Sequence, residues 1–519
     1  MVLLGEILAR NARRYPDKTA VAFEGRRYTF DQLNNRANRL ANGLLSLGAH
    51  KGDRLAILAQ NCTEYVELFC AASRAGLVTA PINWRFVEKE LVKVITYVEP
   101  VVLVVDGEFA PKVAAIRSQL PSVRNVICFG GKGAGMEDYE ALIVSSPVQA
   151  PQVPVALDDL ACLIHTSGTT GIPKIVMWTN RNWVAGILDI VIEMQVTGQD
   201  VGLHVIPAFH IGFAWSMLVY LYQGCTQVIM RRFDPPAVLD AIETERVTTT
   251  IFVPTMIISL LEQPDVDHRD LSSLRQVMFG ASPMPVPVLE RAIRTFGPVF
   301  TQIYGLSEQS GALTRLPKEE HILDGTEAER HHLGSCGKEM LSDWVRVVDD
   351  QDKDVAPGQV GEIIASGPNI MKGYWRQPGY TEQAMRDGWL HTGDLGTIDL
   401  DGYIYIVDRK KDIIISGGEN ISSREVEEAI YSHPAVLECS VIGIPDPKWG
   451  EAVAALVVLK PGHTATEEDI IQVCQENLAS YKKPRLVSFV DSLPHTPMGK
   501  VMKEELREKY WQGYARRVH

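Results

Sequence analysis

Ten consecutive residues of the 519-residue chain combine hydroxyls, glycines and a lysine: His165-Thr166-Ser167-Gly168-Thr169-Thr170-Gly171-Ile172-Pro173-Lys174, directly after the strand-like run LACLI. Glycines let backbone N–H groups close round an anion. Thr166, Ser167, Thr169 and Thr170 add hydroxyl donors, and Lys174 adds a positive charge. That is the chemistry of holding phosphate oxygens. The spacing G-x-x-x-x-G-K-[ST] is absent, so the segment is not a Walker loop. Ser/Thr/Gly runs also serve as plain loops, and composition alone leaves both readings open.

Such a loop needs layers of regular structure to hold it. Short Val/Ile/Leu-rich runs at 53–58, 77–82 and 101–105 alternate with helical stretches such as 63–74 and 87–97. Residues 28–45 carry apolar residues at helical spacing, with Thr29 and Asp31 as start signals. TTTIFVP (248–254) follows a helical stretch near 235–245, and VFTQIYG (299–305) follows one near 286–296. Strands alternating with helices predict α/β layers with mostly parallel sheets. No repeat of fixed period is visible. Beyond about residue 332, glycines such as Gly337, Gly358, Gly373 and Gly393 punctuate short strands, which predicts a β-rich section.

Residues 403–415, YIYIVDRKKDIII, set two strand-like arms around a charged DRKKD knot. The knot is either a hairpin turn or a linker between domains. After it, Ser422 and Glu425 have the spacing of a capping box for the helix SREVEEAIYSH. Strand-like VLECSVIGI and EAVAALVVLK follow, then a helix TEEDIIQVCQENLASY and a final strand and helix. The sequence thus predicts an α/β protein. A large N-terminal domain over 1–409, of layered α/β subdomains plus the β-rich section, precedes a small mobile α+β domain over 410–519.

Composition narrows the function classes. Lys+Arg 51 against Asp+Glu 64 gives a net charge of −13, which counts against a general nucleic-acid binder. Hydrophobic residues at 46% and charged residues at 22% fit a globular chain and not a disordered one. The eight cysteines form no C-x-x-C pair and sit beside no metal-type histidine cluster, so they read as dispersed buried thiols in a reducing, cytoplasmic compartment. The N-terminus reads as an amphipathic helix and not a signal peptide. Residues 201–230 carry no Asp, Glu, Lys or Arg, yet His204, Pro207, His210, Gly212 and Gly224 interrupt them. They read as a buried core segment and not a membrane span.

Five segments, in this order, resemble the motifs of the adenylate-forming enzymes, the superfamily of acyl-CoA synthetases, aryl-CoA ligases, firefly-type luciferases and peptide-synthetase adenylation domains. They are TSGTTGIPK (166–174), Tyr304-Gly305-Leu306-Ser307-Glu308, Trp389-Leu390-His391-Thr392-Gly393-Asp394, Asp408-Arg409-Lys410-Lys411-Asp412 with Ser416-Gly417-Gly418-Glu419-Asn420-Ile421, and Pro497-Met498-Gly499-Lys500-Val501. The resemblance implies roles. Thr166 to Gly171, with Lys174, hold the β- and γ-phosphates of ATP. Glu308 binds Mg²⁺, a hard cation suited to carboxylate and phosphate oxygens. Tyr304, in its Gly305-Leu306-Ser307 setting, offers a ring to adenine, and the Gly280-Ala281-Ser282-Pro283 loop lies beside adenine and the acyl site. Asp394 offers two acceptor oxygens to the ribose hydroxyls and Arg409 contacts ribose. Lys500 is the catalytic lysine, His210 stands at the mouth of the acyl site, Lys411 is the hinge, and Gly417-Gly418 let a backbone approach the pantetheine of coenzyme A. Gly212, Ser216 and Ile303 are assigned to the acyl pocket.

Three positions depart from the family pattern: Ile175 where glycine is usual, Thr179 or Asn180 where many relatives carry histidine, and Ile303 where many carry glycine. The implied activity is a two-step ligation. A carboxylic acid and ATP give an acyl-adenylate and pyrophosphate, then the thiol of CoA displaces AMP. The uncharged 201–230 segment points to an apolar acid, and a branched Ile303 to a medium-chain, branched or cyclic one. Nineteen residues follow Lys500, read as favouring free CoA over an in-chain carrier thiol. Alternatives are loading of a separate acyl carrier protein and a non-catalytic nucleotide-binding protein on the same fold. No nucleic-acid partner is expected, and a homodimer stays open.

Overall fold

Local signals decide where the elements begin. In the helix Phe30–Ser46, Thr29 Oγ1 accepts from the Gln32 N–H at 3.2 Å, and Gln32 Oε1 accepts from the Thr29 N–H at 3.0 Å. This satisfies two donors that a helix start leaves free. The helix buries Phe30, Leu33, Ala37, Leu40, Ala41 and Leu44 completely, the 3–4 spacing of one apolar stripe. The computed structural model describes residues 3–166, 174–282, 284–496 and 499–512.

The elements that carry the site are, in chain order, β1 (Leu160–His165), β2 (Ile175–Thr179), α1 (Ile211–Gln223), β3 (Gln276–Phe279), β4 (Phe300–Tyr304), β5 (Gly373–Tyr374), β6 (Trp389–Ile398), β7 (Ile404–Arg409), β8 (Ile414–Ser416), β9 (Glu419–Ile421), α2 (Ser423–Tyr431) and α3 (Lys503–Trp511). β1 and β2 pair antiparallel on either side of the hydroxyl-rich segment, with His165 opposite Ile175. They belong to an eight-stranded sheet, whose Val78–Pro81, Arg54–Leu58, Val102–Asp106 and Asn125–Phe129 strands run parallel. β5 forms one edge of this sheet by pairing with β2. A nine-stranded sheet carries Thr226–Ile229, Val201–His204, Thr249–Phe252, β3 and β4 as parallel neighbours. Apolar residues of both sheets form one continuous core.

The uncharged segment behaves as a core segment should. Every residue of α1 from Ile211 to Leu221 is buried. Among the described residues no helix is long and apolar enough to cross a membrane. All eight cysteines are buried as free thiols.

A five-stranded sheet contains β6 and β7, and a second five-stranded sheet contains β8 and β9 with Val436–Asp446, Gly450–Leu459 and Leu486–Phe489. The second has apolar clusters of its own. The arms of the DRKKD knot therefore lie in different sheets, and the hairpin alternative falls. The capping box at 422–425 forms only in half. Ser422 Oγ accepts from the Glu425 N–H at 3.2 Å, but the Glu425 carboxylate is taken by Lys482 at 2.6 Å. An ion pair to a full ammonium outcompetes a return bond to a neutral backbone donor.

Candidate active site

Two loop bases and one carboxylate are drawn together at the edge of the eight-stranded sheet. The Thr166 N–H donates to the Lys174 carbonyl at 2.8 Å, closing the base of the hydroxyl-rich segment. Ser167, Gly168, Thr169, Thr170 and Gly171 lie outside the described residues. The Lys174 ammonium stands 4.9 Å from the ring centre of Tyr374 and 4.7 Å from that of Tyr380, a cation–π arrangement. The Tyr374 hydroxyl donates to Glu308 Oε1 at 2.6 Å, and the Glu308 carbonyl accepts from the Met371 N–H at 2.9 Å. Glu308 Oε2 accepts no hydrogen bond among the described residues. A carboxylate oriented through one oxygen by a phenol fits a hard divalent cation.

A second cluster forms where β4 and β7 end beside the middle of β6. Asp394 on β6 faces Arg409 on β7 in register. Asp394 Oδ2 accepts from the Tyr304 hydroxyl at 2.8 Å and Oδ1 is 3.2 Å from Arg409 Nε. Each oxygen thus has one partner among the described residues, and an ionised carboxylate oxygen can accept a second hydrogen bond. Lys500 joins the cluster from the far end of the chain. Burial pushes its ammonium pKa down to about 8, and Arg409 and Lys411 push the same way, while Asp394 and Asp412 oppose them. Its loop is fixed locally: the Thr496 N–H donates to the Lys500 carbonyl at 2.7 Å, and the Lys500 N–H to Thr496 Oγ1 at 3.2 Å. Gly499, with φ +71°, presses on the nine-stranded sheet side, where a Cβ would lie 2.3 Å from Thr255 Oγ1. Pro497 and Met498 lie outside the described residues.

The loop after β3 lies against Ile303, the residue before Tyr304. A Cβ on Gly280 would meet the Ile303 carbonyl at 2.3 Å and Ile303 Cγ1 at 3.1 Å, so only glycine fits. Ala281 takes φ +69°, a conformation that costs an alanine about 1–2 kcal/mol. Ser282 is half-buried, and Pro283 lies outside the described residues. Gly305 is tight as well, with a Cβ 3.2 Å from Gln309 Oε1. Ser307 is half-buried between Gly305 and Glu308.

His210 is the N-cap of α1, its Nδ1 accepting from the Gly212 N–H at 3.1 Å. Burial, with His165 nearby, lowers its pKa to about 4, so the ring is neutral at pH 7. A Cβ on Gly212 would make ordinary contacts with Ile206 and His210, at 3.4 and 3.5 Å. Ser216 is 3% exposed, and its hydroxyl is spent in the core on the Phe213 carbonyl at 3.1 Å and His204 Nδ1 at 3.2 Å.

Gly417 and Gly418 form the exposed turn between β8 and β9, with φ +62° and +86°. A Cβ on Gly417 would lie 2.7 Å from the Trp449 ring. Lys411 is exposed between β7 and β8. The sequence reading missed Tyr374, whose place beside Lys174 depends on the two-residue strand β5. The glycine before it, Gly373 at φ +140°, is the local signal that could have marked it.

The chain matches the AMP-binding enzyme family over residues 8–375 and the AMP-binding enzyme C-terminal domain over residues 425–500. A protein of an Amycolatopsis species named Feruloyl-CoA synthase is 38% identical over 98% of this chain and 99% of its own length. The Fatty acid–[acyl-carrier-protein] ligase ScoC of Streptomyces coeruleorubidus is 34% identical over 98% of this chain and 96% of its own. The crystal structure of ATP-bound MatB from Rhodopseudomonas palustris superposes with a TM-score of 0.88 at 32% identity, over 98% of this chain and 99% of that one. The chain belongs to the AMP-binding enzyme family, the adenylate-forming ligases.

Proposed function

We propose that this chain is an AMP-forming acid–thiol ligase that activates an apolar carboxylic acid with ATP and passes the acyl group to coenzyme A. The observation that carries this reading is the Asp394–Arg409 pair across β6 and β7, with Lys500 near enough for both charges to shift its pKa. Adenylation brings two anions together, the acid's carboxylate and the α-phosphate. The protein's work is to hold them in line and offset their repulsion. Lys500 places a positive charge between them, and Arg409 and Asp394 fix the ribose end. Thr166 to Gly171 and Lys174 hold the leaving phosphates. Glu308, oriented by Tyr374, holds Mg²⁺, which supplies further neutralisation of phosphate charge when bound.

Acyl transfer needs a different neighbour in the same place. Lys410 is held on the β7 side, 3.4 Å from Asp350 and 3.6 Å from Glu362. Asp412 is held on the other side by Arg507 at 2.6 Å. Lys411 between them is the residue left to turn, which supports a domain boundary at 409/410 and hinge rotation of 410–519 between the two steps. That rotation would bring Gly417-Gly418 towards the site. The acid is apolar because α1 behind His210 is buried and uncharged. Ile303 limits its length, so the fitting acids are medium-chain, branched or cyclic. The feruloyl-CoA relative supports CoA as the acceptor. The ScoC relative supports a second reading, a free-standing carrier protein. Pyrophosphate release across a panel of acids, scored by kcat/KM, followed by acyl transfer to CoA or to a carrier protein, tests both. No acid-dependent release with any acid would overturn the first step, and transfer only to the carrier would overturn CoA.

A further inference from the structure

The strand β7 belongs by pairing to the β6 sheet, yet three of its consecutive residues are bound by the start of α2, which belongs to the unit carrying Lys500. The Arg424 guanidinium donates from Nη1 to the Ile406 carbonyl at 2.7 Å, and Ser422 Oγ donates to the Val407 carbonyl at 2.6 Å. Asp408 Oδ2 accepts from the Ser423 N–H at 2.6 Å and from Ser423 Oγ at 2.7 Å. Asp408, Ser422, Ser423 and Arg424 are all buried. The carboxylate sits at the positive end of α2, where the first N–H groups of a helix need acceptors. Ser423 Oγ in turn accepts from Lys503 of α3 at 2.6 Å, and Lys503 pairs with Glu427 at 2.8 Å. The docking face is thus tied into the body of the C-terminal unit.

These bonds straddle Lys411. β7 precedes it and stays with the β6 sheet, while α2 and α3 follow it and carry the Lys500 loop. Any turn about Lys411 large enough to withdraw Lys500 from Asp394 breaks all four bonds and exposes their buried polar groups. We propose that Asp408, Ser423 and Arg424 form a positioning latch that holds Lys500 at Asp394 for adenylation and must open before thiol transfer. The latch rests on the two-step reading above. It acts through Lys500 and touches no substrate.

The test is Arg424→Ala in the full chain, read in both half-reactions and by amide exchange. Pyrophosphate release should fall about tenfold, the size expected for one hydrogen bond from a charged donor. Thioester formation from supplied acyl-adenylate should hold or rise. The Ser423 amide, read in a short peptide by mass spectrometry, should exchange about tenfold faster, because its acceptor Asp408 is on the other side of the latch. Equal loss of both half-reactions, as a merely structural role would give, overturns the latch, and so does unchanged Ser423 exchange. Ser423→Ala, which removes only the hydroxyl, replaces Arg424→Ala if the latter does not fold. Wild-type protein without either half-reaction would overturn the functional reading alone, since Ser423 exchange still decides the latch.

Discussion

A lysine whose pKa burial lowers to about 8 loses its charge where an exposed lysine keeps it. If Lys500 must be charged to offset the two anions, kcat/KM for pyrophosphate release falls above about pH 8. Bound ATP raises the same pKa, so the fall in kcat comes at higher pH. The stability sign is opposite. The folded pKa lies below the ordinary value of 10.5, so seating Lys500 costs stability below about pH 8, and that cost fades as pH rises towards 10.5. A release profile flat to pH 10 would contradict the burial. At Glu308, the proposed Mg²⁺ ligand, Glu308→Gln keeps shape and removes charge, so release should drop by roughly a hundredfold or more, with little change in Tm. Tyr374→Phe removes the hydrogen bond by which Tyr374 orients Glu308 and should cost about tenfold, mostly as a raised KM for Mg-ATP. Near-normal release of Glu308→Gln at saturating Mg²⁺ would show that Glu308 is no ligand. Ile303→Gly should shift the kcat/KM ranking of the acid panel towards longer or bulkier acids, by ~1–3 kcal/mol for each methylene that gains room. An unchanged ranking would remove Ile303 from the pocket.

Loops between elements carry the second group of consequences. Gly418 at φ +86° has open space around it, so Gly418→Leu strains the backbone by about 1–2 kcal/mol without a clash. It should leave pyrophosphate release intact and stall thioester formation, measured from preformed adenylate. Loss of release instead would place the β8–β9 turn in the first step. How much of this was legible in the sequence follows from range. The capped helix at 30–46 and the fully buried α1 were readable because cap and periodicity are local. The Ser422–Glu425 box was half wrong because Lys482, distant in sequence, competes for the glutamate. The DRKKD knot stayed ambiguous because only strand pairing tells which sheet each arm joins. Asp394, Arg409 and Lys500 were visible as motifs, but motif spacing could not show that Tyr304 and Arg409 each engage one Asp394 oxygen. Tyr374 went unread because its role comes from β5 adding to the edge of β2.

The whole molecule presents one of the two placements that the chemistry requires. Lys500 is near enough to Asp394 and Arg409 for their charges to act on it, Gly499 presses on Thr255, and Gly417-Gly418 stand exposed. On the proposed two-step reading, an adenylating site and a thiol-transfer site share one set of N-terminal residues and exchange faces of the C-terminal unit. The proposed exchange would turn on Lys411, since Lys410 is tied to Asp350 and Glu362 while Asp412 is tied to Arg507. This division of labour makes the two half-reactions separable by one substitution. The decisive measurement is Lys500→Ala, assayed for acid-dependent pyrophosphate release and for thioester formation from supplied acyl-adenylate and CoA. The account predicts release lost by several orders of magnitude with thioester formation close to wild type. Equal loss of both activities in a folded Lys500→Ala protein, or release that survives, would contradict it.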